Sequence, residues 1–141
     1  DIEPHVKTLN FWRNKAKSVH GAMTLVSTEH GGDVPDTMPD LLALPGVARK
    51  TANVVLGNAF GINIGVVVDT HVSRISQRFG LTRETDPKKI EPDLMALFPR
   101  PAWCLLSHLL IFHGRRACKA RGATCAEDSI CRRFCANARS D

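Results

Sequence analysis

Two groups of residues in this 141-residue sequence have the types and spacing that chemistry requires. The first is Leu44-Pro45-Gly46-Val47-Ala48-Arg49-Lys50-Thr51-Ala52, a glycine hairpin leading into a helix that opens on two cations. Such a turn directs backbone N–H groups outward at a helix N-terminus, where unpaired donors and the helix dipole both favour a phosphate. Leu44, Gly46, Ala48, Arg49 and Thr51 are the candidates for that contact. It would be blind to base sequence, because it grips the nucleic-acid backbone. The same nine residues also describe an ordinary helix–helix turn with a solvated Arg-Lys pair, and alone they leave both readings open.

The second group is Cys118-x6-Cys125-x5-Cys131-x3-Cys135, four of the five cysteines crowded into one short segment. Four thiolates suit a [4Fe-4S] cluster or a structural zinc, and a degenerate site without metal is the third reading. No signal peptide precedes them, so a reducing cytosol is expected, which favours ligation over disulfides. Arg115, Arg116, Lys119, Arg121, Arg132 and Arg133 set positive charge beside the thiolates and offer contacts for phosphates. Cys104 stands apart and reads as a small core residue. His108 and His113, five residues apart, are poorly spaced to chelate one ion and read as structural.

Composition sets the frame for these groups. A formal charge of +5 favours a polyanionic partner, although a solvated basic surface gives the same figure. With 43% hydrophobic and 23% charged residues the chain reads as an ordinary soluble globular protein, expected to be monomeric, with no apolar run of membrane-spanning length. It opens at Asp1 without a methionine and passes almost directly into helical pattern, so it is expected to be a fragment of a longer protein.

The elements that must position the two groups are helical throughout, since apolar residues recur at helical spacing and nothing alternates cleanly like a strand. The expected class is all-α. A helix is predicted from about Phe11 to Glu29, with Ala16, Val19, Met23 and Val26 on its inner face and Gly31-Gly32 as its stop. Thr37-Met38-Pro39-Asp40 is a helix-start pattern, followed by Leu41, Leu42 and Leu44. Pro45-Gly46 halts that helix, and Arg49 to Phe60 resumes one with Ala52, Val55, Leu56 and Ala59 inward. Gly61 to Val68 reads as an apolar loop, after which Asp69 caps a helix carrying Val72, Ile75 and Phe79. Asp86-Pro87 opens another, with Ile90, Leu94, Leu97 and Phe98 inward and Pro92 expected to kink it or move its start. Trp103 to Arg116 is apolar nearly all round, which predicts a central buried helix.

Leu44 to Leu56 resembles the helix-hairpin-helix of the endonuclease III family, followed at the family's distance by Val68-Asp69-Thr70-His71. The likeness continues through His113-Gly114-Arg115 to the cysteine group and includes the opening Asn10-Phe11-Trp12-Arg13-Asn14-Lys15-Ala16, so it covers essentially the whole chain. It implies a helix-hairpin-helix glycosylase architecture: a partial six-helix lobe over residues 1–102, with the hairpin motif at about 38–60 and the aspartate stretch at 68–71, then a cysteine-loop region over 103–141.

The activity it implies is base excision from duplex DNA containing damaged bases or abasic sites, with added lyase activity on the strand, in a bacterial cytoplasm. Oxidised pyrimidines would be the substrates. Lys50 matches the family's nucleophile, Asp69 its catalytic aspartate, and Cys118, Cys125, Cys131 and Cys135 the ligands of its [4Fe-4S] cluster. The target nucleotide would be flipped out of the stack before any group reached its sugar. An ammonium cannot attack, so Lys50 needs its neutral form favoured by desolvation or by a neighbouring cation such as Arg49. Asp69 reads equally as a plain N-cap, and the two roles can coexist.

Two positions depart from the family pattern. Ala48 stands where the hairpin's second glycine is expected; if that backbone is left-handed, alanine costs on the order of 1 kcal/mol. Asp128 stands where the third cysteine is expected, and one inserted residue would let Cys131 and Cys135 supply the last two ligands. By the same resemblance an N-terminal portion is absent, which would leave apolar faces open around Val19, Val54 and Leu109. The rival functions are a non-catalytic helix-hairpin-helix DNA-binding module, a monofunctional adenine glycosylase, which Lys50 disfavours, and a purely structural metal-bound interaction domain.

Overall fold

Helix starts and stops are written locally in this chain, and the computed structural model follows them over the residues that it describes, 2–135. Asp1 and residues 136–141, the outer ends of the two expected lobes, lie outside the described residues. The chain forms two compact units, residues 1–60 and 61–141. All regular structure among the described residues is helical.

In the first unit α1 (Glu3–Val6) precedes α2 (Trp12–Glu29), α3 (Met38–Ala43) and α4 (Arg49–Ala59). The long helix α2 ends where Gly32 N–H reaches back to the Val26 carbonyl at 2.9 Å, with Gly31 and Gly32 both at positive φ. Ala16 and Val26 are buried, but Val19 and Met23, expected on the same inner face, are exposed. Thr37 caps α3: its Oγ1 accepts from Asp40 N–H at 3.3 Å and donates to Asp40 Oδ2 at 2.6 Å. The inner side of α4 is Ala52, Asn53 and Leu56; Val55 is only half-buried and Ala59 is exposed. The buried stripe is therefore rotated from the one that apolar spacing suggests, and a polar residue takes part in it.

In the second unit the connection before Asp69 is a loop, as expected, yet Val66, Val67 and Val68 are all buried. Ser107 Oγ fixes it by accepting from Val67 N–H at 3.0 Å. The remaining elements are α5 (Thr70–Arg78), α6 (Pro87–Leu97), a 3-10 helix (Arg100–Ala102), α7 (Trp103–Arg116) and α8 (Ser129–Phe134). Asp86 starts α6 by accepting from Lys88 N–H at 2.9 Å. Pro92 lies inside α6 and does not end it; the carbonyl that loses its donor belongs to Lys88, in the exposed first turn where water can serve. Leu97, expected inward, is exposed.

One core unites Val72 and Ile75 of α5, Ile90 and Leu94 of α6, Leu106 and Leu110 of α7, and the four clustered cysteines. Residues on both sides of position 102 thus share one interior, and the compact units divide at 60/61, ahead of the boundary expected from sequence. The helix α7 is not buried all round. Leu106, Ser107, Leu110 and Gly114 face inward, while Leu105, Leu109 and Phe112 are exposed. Val19, Val54 and Leu109, around which open apolar faces were expected, are 43%, 40% and 57% exposed. No helix among the described residues is long and apolar enough to cross a membrane.

Candidate functional site

The hairpin joining α3 to α4 is closed by Val47 N–H donating to the Leu44 carbonyl at 3.1 Å. Gly46 sits at φ +78, a conformation that L side chains rarely adopt, and a Cβ there would meet Ser18 Cβ at 2.6 Å and Oγ at 2.7 Å. Glycine is thus required twice, for dihedral and for space against α2. Ala48 is extended at φ −98 and ψ 170, so the expected penalty for alanine in a left-handed backbone does not arise. It occupies the N-cap of α4 with no side-chain oxygen to accept from the first turn.

Arg49 and Lys50, the first two residues of α4, are exposed, Thr51 is half-buried and Leu44 is buried beneath the turn. Leu44 therefore anchors the hairpin, while the others line its rim. The exposure of Lys50 means that burial does not supply the desolvation expected for it; Arg49 remains as the adjacent cation.

Asp69 is the N-cap of α5 and half-buried. Its Oδ1 accepts from both His71 N–H and Val72 N–H, each at 2.8 Å. Both bonds fall on one oxygen, so the carboxylate is oriented by the helix end while Oδ2 takes no part in the cap. The capping role and a chemical role are therefore compatible in geometry.

Cys118, Cys125, Cys131 and Cys135 are all buried and none forms a disulfide. The sulfurs of Cys118, Cys125 and Cys135 lie within 4.8 Å of one another, and His113, Cys118 and Cys131 form a second such trio through Cys118. Burial pushes the thiols of Cys125 and Cys131 up from the ordinary range; the hydrogen bond between them offsets part of the rise at Cys125, while at Cys131 the neighbouring sulfurs add to it. Four buried thiols without disulfide partners, three of them with sulfurs within 4.8 Å of one another, are soft donors whose negative charge on ligation a metal would balance. The donor set therefore fits a thiolate-ligated metal centre. Asp128 stands as the N-cap of α8, its Oδ1 accepting from Cys131 N–H at 2.8 Å. That bond, first among its causes, holds the Asp128 carboxyl below the usual range.

Three residues serve the cysteine centre without having been singled out for it from sequence. Arg78 Nη1 donates to Cys118 Sγ at 3.1 Å and to the Lys119 carbonyl at 2.9 Å; its pKa rises, chiefly through the bond to Cys118. Arg74 Nη2 donates to the carbonyls of Gly114 at 3.2 Å and Cys118 at 3.0 Å. His113 Nε2 lies 3.2 Å from Cys131 Sγ. Each contact joins residues far apart in sequence, and only the His113-Gly114-Arg115 likeness gave a signal for any of them. Arg115, Arg116, Lys119, Arg121, Arg132 and Arg133 are all exposed, so the centre carries a basic rim. Arg116 lies over Phe112 and Arg133 over Phe134, 5.0 and 5.1 Å from the ring centroids. Cys104 and Trp103 are half-buried, and Trp103 Nε1 donates to the Phe98 carbonyl at 2.8 Å.

Residues 1–100 match the HhH-GPD superfamily, described as base excision DNA repair proteins. Endonuclease III of Synechocystis sp. (strain ATCC 27184 / PCC 6803 / Kazusa) is 55% identical over 127 residues, 90% of this chain and 58% of the relative. Endonuclease III of Bacillus subtilis (strain 168) is 41% identical over 136 residues, 94% of this chain and 62% of the relative. The chain thus spans 58% and 62% of the length of these two relatives. A solved non-covalent endonuclease III–DNA complex superposes with a TM-score of 0.90 at 35% identity, over 97% of this chain and 64% of that one. A trapped endonuclease III–DNA covalent intermediate gives the same values. A thermostable thymine-DNA glycosylase, 23% identical with a TM-score of 0.72, shares the fold. With its hairpin, its capping aspartate and more than half its length matched, the chain belongs to the HhH-GPD superfamily of base excision DNA repair proteins.

Proposed function

We propose that this chain carries the catalytic residues of a DNA glycosylase with abasic-site lyase activity, acting as a monomer on oxidised pyrimidines in duplex DNA in a bacterial cytoplasm. The observation that carries the reading is Lys50: an exposed primary amine in the first turn of α4, directly behind a hairpin whose helix end has no side-chain cap. Phosphates of the DNA backbone would meet the hairpin and the first turn of α4, with Gly46, Ala48, Arg49 and Thr51 at the contact and Leu44 beneath it.

The neutral amine of Lys50 attacks C1′ of the flipped nucleotide, forming a C–N bond as the glycosidic bond breaks and the base leaves with its electron pair. Opening of the sugar ring gives a Schiff base. Loss of the C2′ proton then expels the 3′ phosphate and cleaves the strand. Asp69, held by two helix N–H groups, would stabilise positive charge on the sugar, while the proton lost by the new C–N nitrogen passes to the ring oxygen as the sugar opens.

Cys118, Cys125, Cys131 and Cys135 would hold a [4Fe-4S] cluster, whose contribution is to order the basic loop that it gathers. The duplex phosphates would meet that loop through its arginines and Lys119.

Borohydride trapping on an oligonucleotide with one abasic site tests the reading, with Lys50→Ala beside it. A covalent adduct absent from the variant is expected. Retained, salt-sensitive DNA binding without any adduct would overturn the enzyme in favour of a non-catalytic binding module.

A further inference from the structure

We infer that His113 is the positioning residue that seats Cys131 as a metal ligand, through an Nε2–H hydrogen bond to its sulfur. The inference rests on the proposed metal centre and concerns how this chain fills the place of a cysteine that its pattern lacks. Position 128 holds a carboxylate already engaged: Asp128 Oδ1 accepts Cys131 N–H and starts α8. That bond carries the missing thiol one turn onward, to Cys131 in the first turn of α8, where its side chain is completely buried.

A thiolate on a short helix needs something outside the loop to fix its direction, and His113 meets that need from the last turn of α7. Its Nε2 is 3.2 Å from Cys131 Sγ and its ring packs against Phe79, with centroids 5.4 Å apart. Its own carbonyl accepts from Ala117 N–H at 2.9 Å and Cys118 N–H at 3.0 Å. One residue therefore sets where Cys118 leaves α7 and where Cys131 points. Further donors lie on the other side: Arg78 bonds Cys118 Sγ, and Arg74 bonds the Cys118 carbonyl. Sulfur atoms that accept N–H bonds are poorer donors of electron density, so these bonds raise a cluster's reduction potential and slow its loss.

The test uses the whole chain, purified without oxygen and reconstituted with iron and sulfide, and reads iron, acid-labile sulfide, cluster release to a chelator and midpoint potential. His113→Phe removes the donor, His113→Gln keeps an N–H, Cys131→Ser removes the ligand and Asp128→Asn keeps the cap. Expected are full loading with Asp128→Asn, marked iron loss with Cys131→Ser, and with His113→Phe a lower potential and release faster by on the order of tenfold. His113→Gln should recover most of both, which a merely packed ring would not allow.

Equal release and potential in wild type and His113→Phe would overturn the inference while leaving the cluster intact. So would unchanged iron in Cys131→Ser. A zinc-loaded chain that loses its metal outright with either His113 variant would make the imidazole a ligand, which also overturns it. A wild type that takes up neither iron nor sulfide would instead defeat the cluster reading itself, and this inference with it.

Discussion

The helices that carry the two candidate reactive residues begin in opposite ways. At α5 the side chain of Asp69 closes the helix end by accepting two N–H groups on one oxygen. At α4 the cap position is Ala48, whose side chain has no acceptor to offer, its carbonyl taking Ala52 N–H at 3.0 Å as in any helix. An absent cap of this kind typically costs about 1 kcal/mol. A helix end without a side-chain cap, behind a turn that contains a left-handed glycine, is a place where a ligand can supply an acceptor. An end closed by its own carboxylate instead fixes a charge in place. The same element, a helix N-terminus, is thus proposed to receive an anion in one case and holds a carboxylate in the other.

The largest effect should come from emptying the open end of its amine. Lys50→Ala is expected to abolish the borohydride adduct while thermal unfolding stays within the wild-type range, because the side chain is exposed. A matching fall in melting temperature would show that the lysine serves the fold.

The closed end separates its two roles by one substitution. Asn caps a helix as well as Asp does, so Asp69→Asn should keep stability and lose base excision by about a hundredfold or more in single-turnover kinetics. Asp69→Ala should lose both, with a further cost of about 1 kcal/mol in urea unfolding. Equal excision by the Asn variant and wild type would reduce Asp69 to a cap.

Within the hairpin, Gly46→Ala should destabilise the chain by about 1–3 kcal/mol, since the new methyl is strained in φ and collides with Ser18. DNA affinity, read by fluorescence anisotropy, should fall with it. The smallest effect should come from making the two helix ends alike. Ala48→Ser gives α4 an acceptor of its own and should add about 0.5–1 kcal/mol to stability while weakening DNA binding, as the donors gain an internal partner. Stability gained with no change in binding would mean that phosphates do not use those N–H groups.

Legibility followed distance along the chain. Caps act over two or three residues, so Thr37, Asp69 and Asp86 could be read directly, and Pro45-Gly46 marked its turn. The backbone at Ala48 could not, because only the folded turn fixes whether a non-glycine residue there is extended or left-handed. The open side of α7 was equally hidden from its composition: Leu105, Leu109 and Phe112 are as apolar as Leu106 and Leu110, and packing alone distinguishes them. At the cysteine centre, residue types raised the expectation of a metal site, whereas the groups that contact its sulfurs come from other helices. His113 meets Cys131 across 18 residues, and Arg78 meets Cys118 across 40. No local pattern encodes such partners. The register shift from position 128 to Cys131 was open to sequence reading as an insertion; that Asp128 is spent on capping α8 was not.

The contact between Gly46 and Ser18 makes the hairpin a one-sided element. Its inner surface leaves no room for a single added carbon, and the residue that sets this limit belongs to α2, a helix with no candidate reactive residue. A larger side chain at position 18 would act as a wedge, levering the turn outward and re-aiming the first turn of α4 without altering one residue of the hairpin. Tuning of the proposed phosphate contact by substitution is thus confined to the outer rim, while its angle is adjustable from behind.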